Sequence, residues 1–194
     1  MTSLHKSAII FGFSMTMLLF AGCKTTVESL ETVNVEPSLI VAAEQGNLTE
    51  LDRLLQTPGI VDVRDSCQWT ALMKASLNGH ISTVEHLLNK GALVDLEDEG
   101  GYTSLMLAAS NNHASIVRLL LESGANIDQI EVTNGWTALI WAAMSGHSKS
   151  VQQLLNSGAN TMLRDNKNFT ALDWAQHNGH DEVADYLGLS VAAD

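Results

Sequence analysis

The chain is short of basic charge. Its 194 residues carry 10 lysines and arginines against 22 aspartates and glutamates, for a formal net charge of −12. A surface this acidic disfavours the phosphate backbone of nucleic acids and steers basic protein surfaces toward it. Cysteine is scarce as well, with two in the whole chain, so no disulfide framework holds the fold together. There is no glycine-rich phosphate loop, no nucleophile elbow, and no pair of histidines at the i, i+4 spacing of a helical zinc site. Serine, histidine and aspartate are present, Ser145, His147 and Asp165 for example, but a triad is defined by converging geometry rather than by inventory. These absences leave packing as the source of stability. They point away from catalysis and imply no cofactor, no metal and no small-molecule substrate.

One long apolar run is present, from Ala8 to Gly22, after a weakly basic opening from Met1 to Lys6. It is shorter than the about 20 residues of a spanning helix, and residues 1–22 read as a signal peptide. The ending Leu18-Leu19-Phe20-Ala21-Gly22-Cys23 resembles the lipobox of bacterial lipoproteins, with Phe20 standing where leucine is usual. That resemblance implies that Cys23 is the lipidated first residue of the mature chain. Lys24 behind it favours the outer membrane, facing the periplasm. An ordinary secretory signal or an uncleaved anchor is the alternative. Residues 23–36 then form the lipidated cysteine and a polar tether with a reach of about 20 Å. With Cys23 consumed by lipid, Cys67 is alone in the mature chain, so no intramolecular disulfide is expected and Cys67 is left as a thiol or as a link to another molecule.

From 37 to 190 the sequence repeats itself. Thr70, Thr103, Thr137 and Thr170 recur at 33 or 34 residues, each followed by Ala or Ser and then Leu. Gly46, Gly79, Gly146 and Gly179 keep the same period, with Asn112 in the remaining slot, and Gly91, Gly124 and Gly158 form a third series, each followed by Ala. A period of this length marks a solenoid. Within each unit the threonine hydroxyl is placed to cap a first helix. A second helix carries an i, i+3, i+4 stripe, as in Val84, Leu87 and Leu88 or Val151, Leu154 and Leu155. The polar outer residues of the first and last units suit terminal caps.

These marks together resemble the ankyrin repeat, whose pattern runs G-x-T-P-L-H-x-A-A-x-x-G-H and then through a second helix ending L-L-x-x-G-A. The resemblance implies an all-α solenoid of about five helix-turn-helix repeats, with short β-hairpin or turn fingers between them, and a role in binding other proteins. The proline of that pattern is replaced by Ala71, Ser104, Ala138 and Ala171, and its first histidine by Met73, Met106, Ile140 and Asp173. Asp65, Asp98 and Asp165 share a finger slot in which Val132 stands in the third finger, one residue longer than the others, so that finger is expected to be irregular.

The candidate binding residues follow from the register. Trp69, Tyr102, Trp136 and Phe169 each precede a capping threonine and would form an aromatic column along the fingers. By resemblance to the family that slot lies near the concave face where partners dock. Lys74, Leu107, Trp141 and Trp174 share a second slot, in which Trp141 and Trp174 are the further candidates; for all these rings, packing against the neighbouring repeat is the competing use. Glu97, Asp98 and Glu99 make the adjoining finger acidic. His80, His113, His147 and His180 occupy one slot in four repeats, which argues for a structural part rather than a metal site.

The expected function is therefore a membrane-tethered periplasmic module that binds a protein partner with a basic surface. Within it, an immunity or inhibitor role against an envelope-acting toxin is the sharper reading. A scaffold or protector of a periplasmic enzyme, concerned for example with oxidative stress, is the alternative, and an enzyme using the concave groove a more remote one.

Overall fold

The computed structural model describes residues 35–191. The expected signal peptide, Cys23 and the expected tether up to residue 34 lie outside the described residues. Ten helices follow one another: α1 (Val35–Glu44), α2 (Leu48–Leu54), α3 (Ala71–Leu77), α4 (Ile81–Asn89), α5 (Ser104–Ser110), α6 (Ala114–Glu122), α7 (Ala138–Met144), α8 (Ser148–Asn156), α9 (Ala171–His177) and α10 (Asp181–Val191). They pair as five helix-turn-helix units. First helices pack in series, α1 on α3, α3 on α5, α5 on α7 and α7 on α9, and second helices line up behind them. This is a repeat solenoid, as the period of 33 or 34 residues marks, and it is all-α, as the resemblance implies.

Short helices of this kind do not hold in isolation. Each internal first helix spans seven residues and begins where the sequence places a threonine. The Oγ1 atoms of Thr70, Thr103, Thr137 and Thr170 accept the backbone N–H of Met73, Met106, Ile140 and Asp173 at 3.2, 3.4, 3.2 and 3.2 Å. At Thr170 the cap is reciprocal, because Asp173 Oδ2 accepts the Thr170 N–H at 2.8 Å. Behind the caps lie Leu72, Leu105 and Leu139, with Ala75, Ala108 and Ala142 letting neighbouring helices approach. Val84, Leu87, Val117, Leu120, Val151 and Leu154 close the core from the second helices. Each such aliphatic side chain contributes about 1.5–3 kcal/mol on burial, which makes the continuous core the main stabilising term.

Histidine ties one repeat to the next. The Nε2 atoms of His80, His113, His147 and His180 lie 2.9, 3.1, 3.0 and 3.0 Å from the carbonyl oxygens of Glu44, Leu77, Ser110 and Met144. A carbonyl only accepts, so each Nε2 carries the proton and donates to an acceptor at the end of the preceding first helix, where carbonyls have no intrahelical partner. A Cβ on Gly79 would fall 2.6 Å from the His113 ring, and Gly79 has φ +78. Asn112 adopts φ 59 in the matching slot, as its side chain permits.

The four fingers, at 62–69, 95–102, 128–136 and 162–169, contain no strand among the described residues; they are turns. Each is closed at its base by a backbone bond, Asp65, Asp98, Glu131 and Asp165 donating N–H to the carbonyls of Trp69, Tyr102, Trp136 and Phe169. Between successive fingers runs one bond from backbone to backbone: Glu99 N–H to Cys67 O, Val132 N–H to Gly100 O, and Asn166 N–H to Asn134 O. This register corrects the expectation for the third finger. Glu131, not Val132, takes the aspartate slot, and the additional residue is absorbed at Thr133, leaving Val132 72% exposed. The longer glutamate side chain bridges the longer turn.

Cys67 is disulfide-bonded rather than left as a thiol, which corrects the expectation of an unpaired sulfur there. That expectation counted only the cysteine left after lipidation of Cys23.

Candidate functional site

Finger carboxylates are used first for structure. Asp65 Oδ1 accepts the N–H groups of Cys67 and Trp69, and Asp98 Oδ1 those of Gly100 and Tyr102. Asp165 Oδ1 does the same for Lys167 and Phe169. Glu131, almost fully buried, accepts from Thr133, Asn134 and Trp136. A second column works between repeats: Asp62, Asp95 and Asp128 accept the N–H of Leu93, Asn126 and Asn160, each at 3.0 Å. These residues carry chemistry that the repeat itself needs.

Asp165 does more than its counterparts. Its Oδ2 accepts the indole N–H of both Trp136, at 2.9 Å, and Trp174, at 2.8 Å. Burial pushes this carboxyl up, but the donors on Phe169, Trp174, Trp136 and Lys167 outweigh it and hold the group below the usual carboxylate value. Asp98 goes the other way: burial raises it beyond what the Tyr102 and Gly100 amides offset, with Glu99 and Asp65 adding repulsion. Sequence reading missed the clamp on the two indoles. Its signal was available only as two tryptophans in adjacent repeats with an aspartate between them.

The aromatic residues form a connected ladder rather than a bare column. Tyr102 meets Trp141 edge-on at 6.0 Å, Trp141 meets Trp136 at 4.7 Å, and Trp136 meets Trp174 at 6.1 Å. Phe169 completes it against Trp174 at 5.2 Å. Trp69 and Trp136 are only 7% and 6% exposed, and Trp174 is buried as well, so these rings serve the core. Tyr102, Trp141 and Phe169 remain partly exposed. Glu97 and Asp98 are half-buried and Glu99 is exposed, in the finger that ends at Tyr102, whose N–H Asp98 accepts. The structure thus brings Tyr102, Trp141 and the acidic finger 95–102 to one edge of repeats three and four. Phe169 sits at the C-terminal end, on an open groove it shares with Arg164, Asn168, Asp173, Gln176 and His177.

Around this edge the first helices are uncharged. Neither α5, SLMLAAS, nor α7, ALIWAAM, contains an acidic or basic residue. In repeat two the corresponding surface carries Lys74, whose Nζ lies 4.6 Å from the centre of the Trp69 ring and 3.2 Å from Glu44 Oε1. His147, at the N-terminus of α8, is pushed down by burial, which favours its neutral form. With Nε2–H already engaged by Ser110 O, it belongs to the inter-repeat ties.

Comparison with known proteins bears on the whole array. No curated protein matches the chain. A family model described as ankyrin repeats, three copies, matches residues 39–131 and again 128–194, overlapping stretches that together span well over half of the sequence. Members of that family typically serve as non-enzymatic interaction domains. With the period, the capping threonines, the histidine ties and the family match in agreement, the chain belongs to the ankyrin repeat family.

Proposed function

We propose that this protein binds a basic protein partner through the edge formed by the second and third fingers and the helices α5 and α7. The observation that carries the reading is the combination at that edge: two partly exposed rings, Tyr102 and Trp141, with the carboxylates of the Glu97-Asp98-Glu99 finger, flanked by helices α5 and α7, which have no charge of their own. Aromatic side chains give contact area at low entropic cost, and acidic neighbours select a basic surface.

The membrane-held, periplasmic part of the reading is supported by sequence alone, through the signal-like run and Cys23. A lipid thioether and a disulfide cannot share one sulfur. The intact mass of the chain extracted from membranes decides: lipid mass on Cys23 supports the anchor, and an unlipidated chain with Cys23 joined to Cys67 removes it. In such a setting the partner we favour is an envelope-acting toxin that the module covers; a protected periplasmic enzyme is the other outcome of the same capture experiment.

That experiment is crosslinking in intact envelopes, comparing the native chain with Glu97→Gln/Glu99→Gln and with Tyr102→Ala. A basic partner captured by the first and reduced at least several-fold with the others is the expected result. Equal capture by all three places the binding face elsewhere. Variants at Trp69 or Trp136 are unsuitable, since both rings are buried and their loss reports on folding.

A further inference from the structure

Repeat two holds a cation against its own indole. Lys74 Nζ sits over Trp69 and is paired with Glu44, so an ammonium is sandwiched between a ring and a carboxylate. Repeat five does something similar, with Lys167 Nζ 5.1 Å from the centre of Trp174. By register, the slot of Lys74 is occupied in repeat three by Leu107 and in repeat four by Trp141. Among the described residues no lysine or arginine stands over Tyr102, Trp136 or Trp141. The rings are there, in edge-on contact at 6.0 and 4.7 Å, and the carboxylates are there too.

Those carboxylates are only partly compensated. Arg64 is the nearby cation, its Nη1 bound at 3.1 Å to the backbone oxygen of Glu97 rather than to the carboxylate. The Glu97 carboxylate accepts instead from neutral Gln129. Asp98 and Glu131 are filled by backbone amides, which satisfy their lone pairs without cancelling their charge. Glu99 is exposed, with no ion pair within 4.0 Å among the described residues. Negative charge therefore gathers beside ring faces that lack the cation their neighbours possess.

Resting on the protein-binding reading above, we propose that an arginine or lysine side chain of the partner seats on the Tyr102 and Trp141 rings, beside the carboxylates of the second finger, supplying the cation that repeats three and four lack. The ring quadrupole and the carboxylates attract the same group, and a guanidinium stacks on an aromatic face better than an ammonium does. Arginine is the preferred anchor.

The test uses the full chain, labelled with nitrogen-15, and two probes: a short peptide alternating glycine and arginine, and the same peptide with each arginine replaced by uncharged citrulline. The arginine peptide is expected to bind, to shift the Trp141 indole N–H resonance, and to weaken as salt is raised. The citrulline peptide is expected not to bind. Trp141→Leu should weaken the arginine peptide about tenfold, with Trp141→Phe restoring most of the affinity, in line with a desolvated cation on a ring. Glu99→Gln, on an exposed residue that leaves the core intact, should weaken it several-fold and serves if Trp141→Leu does not fold. Equal binding of the two peptides, unchanged affinity in Trp141→Leu, or no binding of the arginine peptide overturns the proposal. If a basic partner is still captured from envelopes and depends on Glu97 and Glu99 but not on Trp141, the binding-module reading survives and the ring-seated cation does not. Loss of both leaves neither standing.

Discussion

At the scale of single residues, the position that concentrates most structure is Asp165. Its carboxylate receives two indole and two backbone N–H groups while 7% exposed. Asp165→Ala leaves those donors without an acceptor and should cost on the order of 3 kcal/mol, since each buried polar group left unpaired costs about 1–3 kcal/mol. The pH dependence has a definite sign. The folded-state value lies below the unfolded one of about 3.9, so the stabilisation is complete above about pH 4 and is lost as the pH falls through the folded value. Urea titrations from neutral pH to pH 3 should show a shallower acid loss in Asp165→Asn than in the native chain; parallel curves would reject the clamp. The finger slot of Asp165 was legible in the sequence, but its hold on Trp136 and Trp174 was not. Side-chain bonds over 29 residues depend on how repeats stack, which no local pattern encodes. Glu131 shows the converse error, since counting back from Trp136 put Val132 in a slot that the backbone assigns to its neighbour.

At the scale of elements, helix ends carry the information that helix interiors lack. The seven-residue first helices differ in sequence, from ALMKASL to ALIWAAM, yet each starts at a threonine and ends two residues before a glycine or asparagine of positive φ. Those marks are local and were readable. What the stop residue faces was not readable. Gly79 and Gly179 have nearly equal φ, +78 and +73, but a Cβ on Gly79 would meet the His113 ring whereas one on Gly179 would meet nothing within 4 Å. Gly179→Ala should therefore cost only the left-handed backbone penalty, about 1–2 kcal/mol. Gly79→Ala should cost more, because the histidine tying repeats two and three must also move. Chemical denaturation of the two variants side by side measures the difference, and equal losses would show that the tie contributes little.

At the scale of the molecule, stability is shared between neighbours along the stack, since each repeat packs on those beside it. A cavity in the middle and one at the end should then behave differently. Leu139→Ala, in α7, removes a core side chain with repeats on both sides and should lower the stability of the array by about 2–5 kcal/mol in one coincident transition. Leu187→Ala, in α10, deletes an equally buried side chain at the edge. There repeat five should loosen first, so tryptophan fluorescence, to which Trp174 contributes, should change at lower urea than helicity does. Coincident curves for both variants would argue for all-or-none behaviour. The sequence alone determined the number of repeats, their caps and stops, the inward leucines and alanines, and the acidic balance, because each is written in a short pattern copied every 33 or 34 residues. Only the tertiary structure decided which aromatics remain partly exposed. Trp69 and Trp136 share a slot with Tyr102 and Phe169, yet the first two are buried and the others are not, because the cover over each ring comes from side chains of its own and neighbouring repeats, and those side chains differ from one repeat to the next.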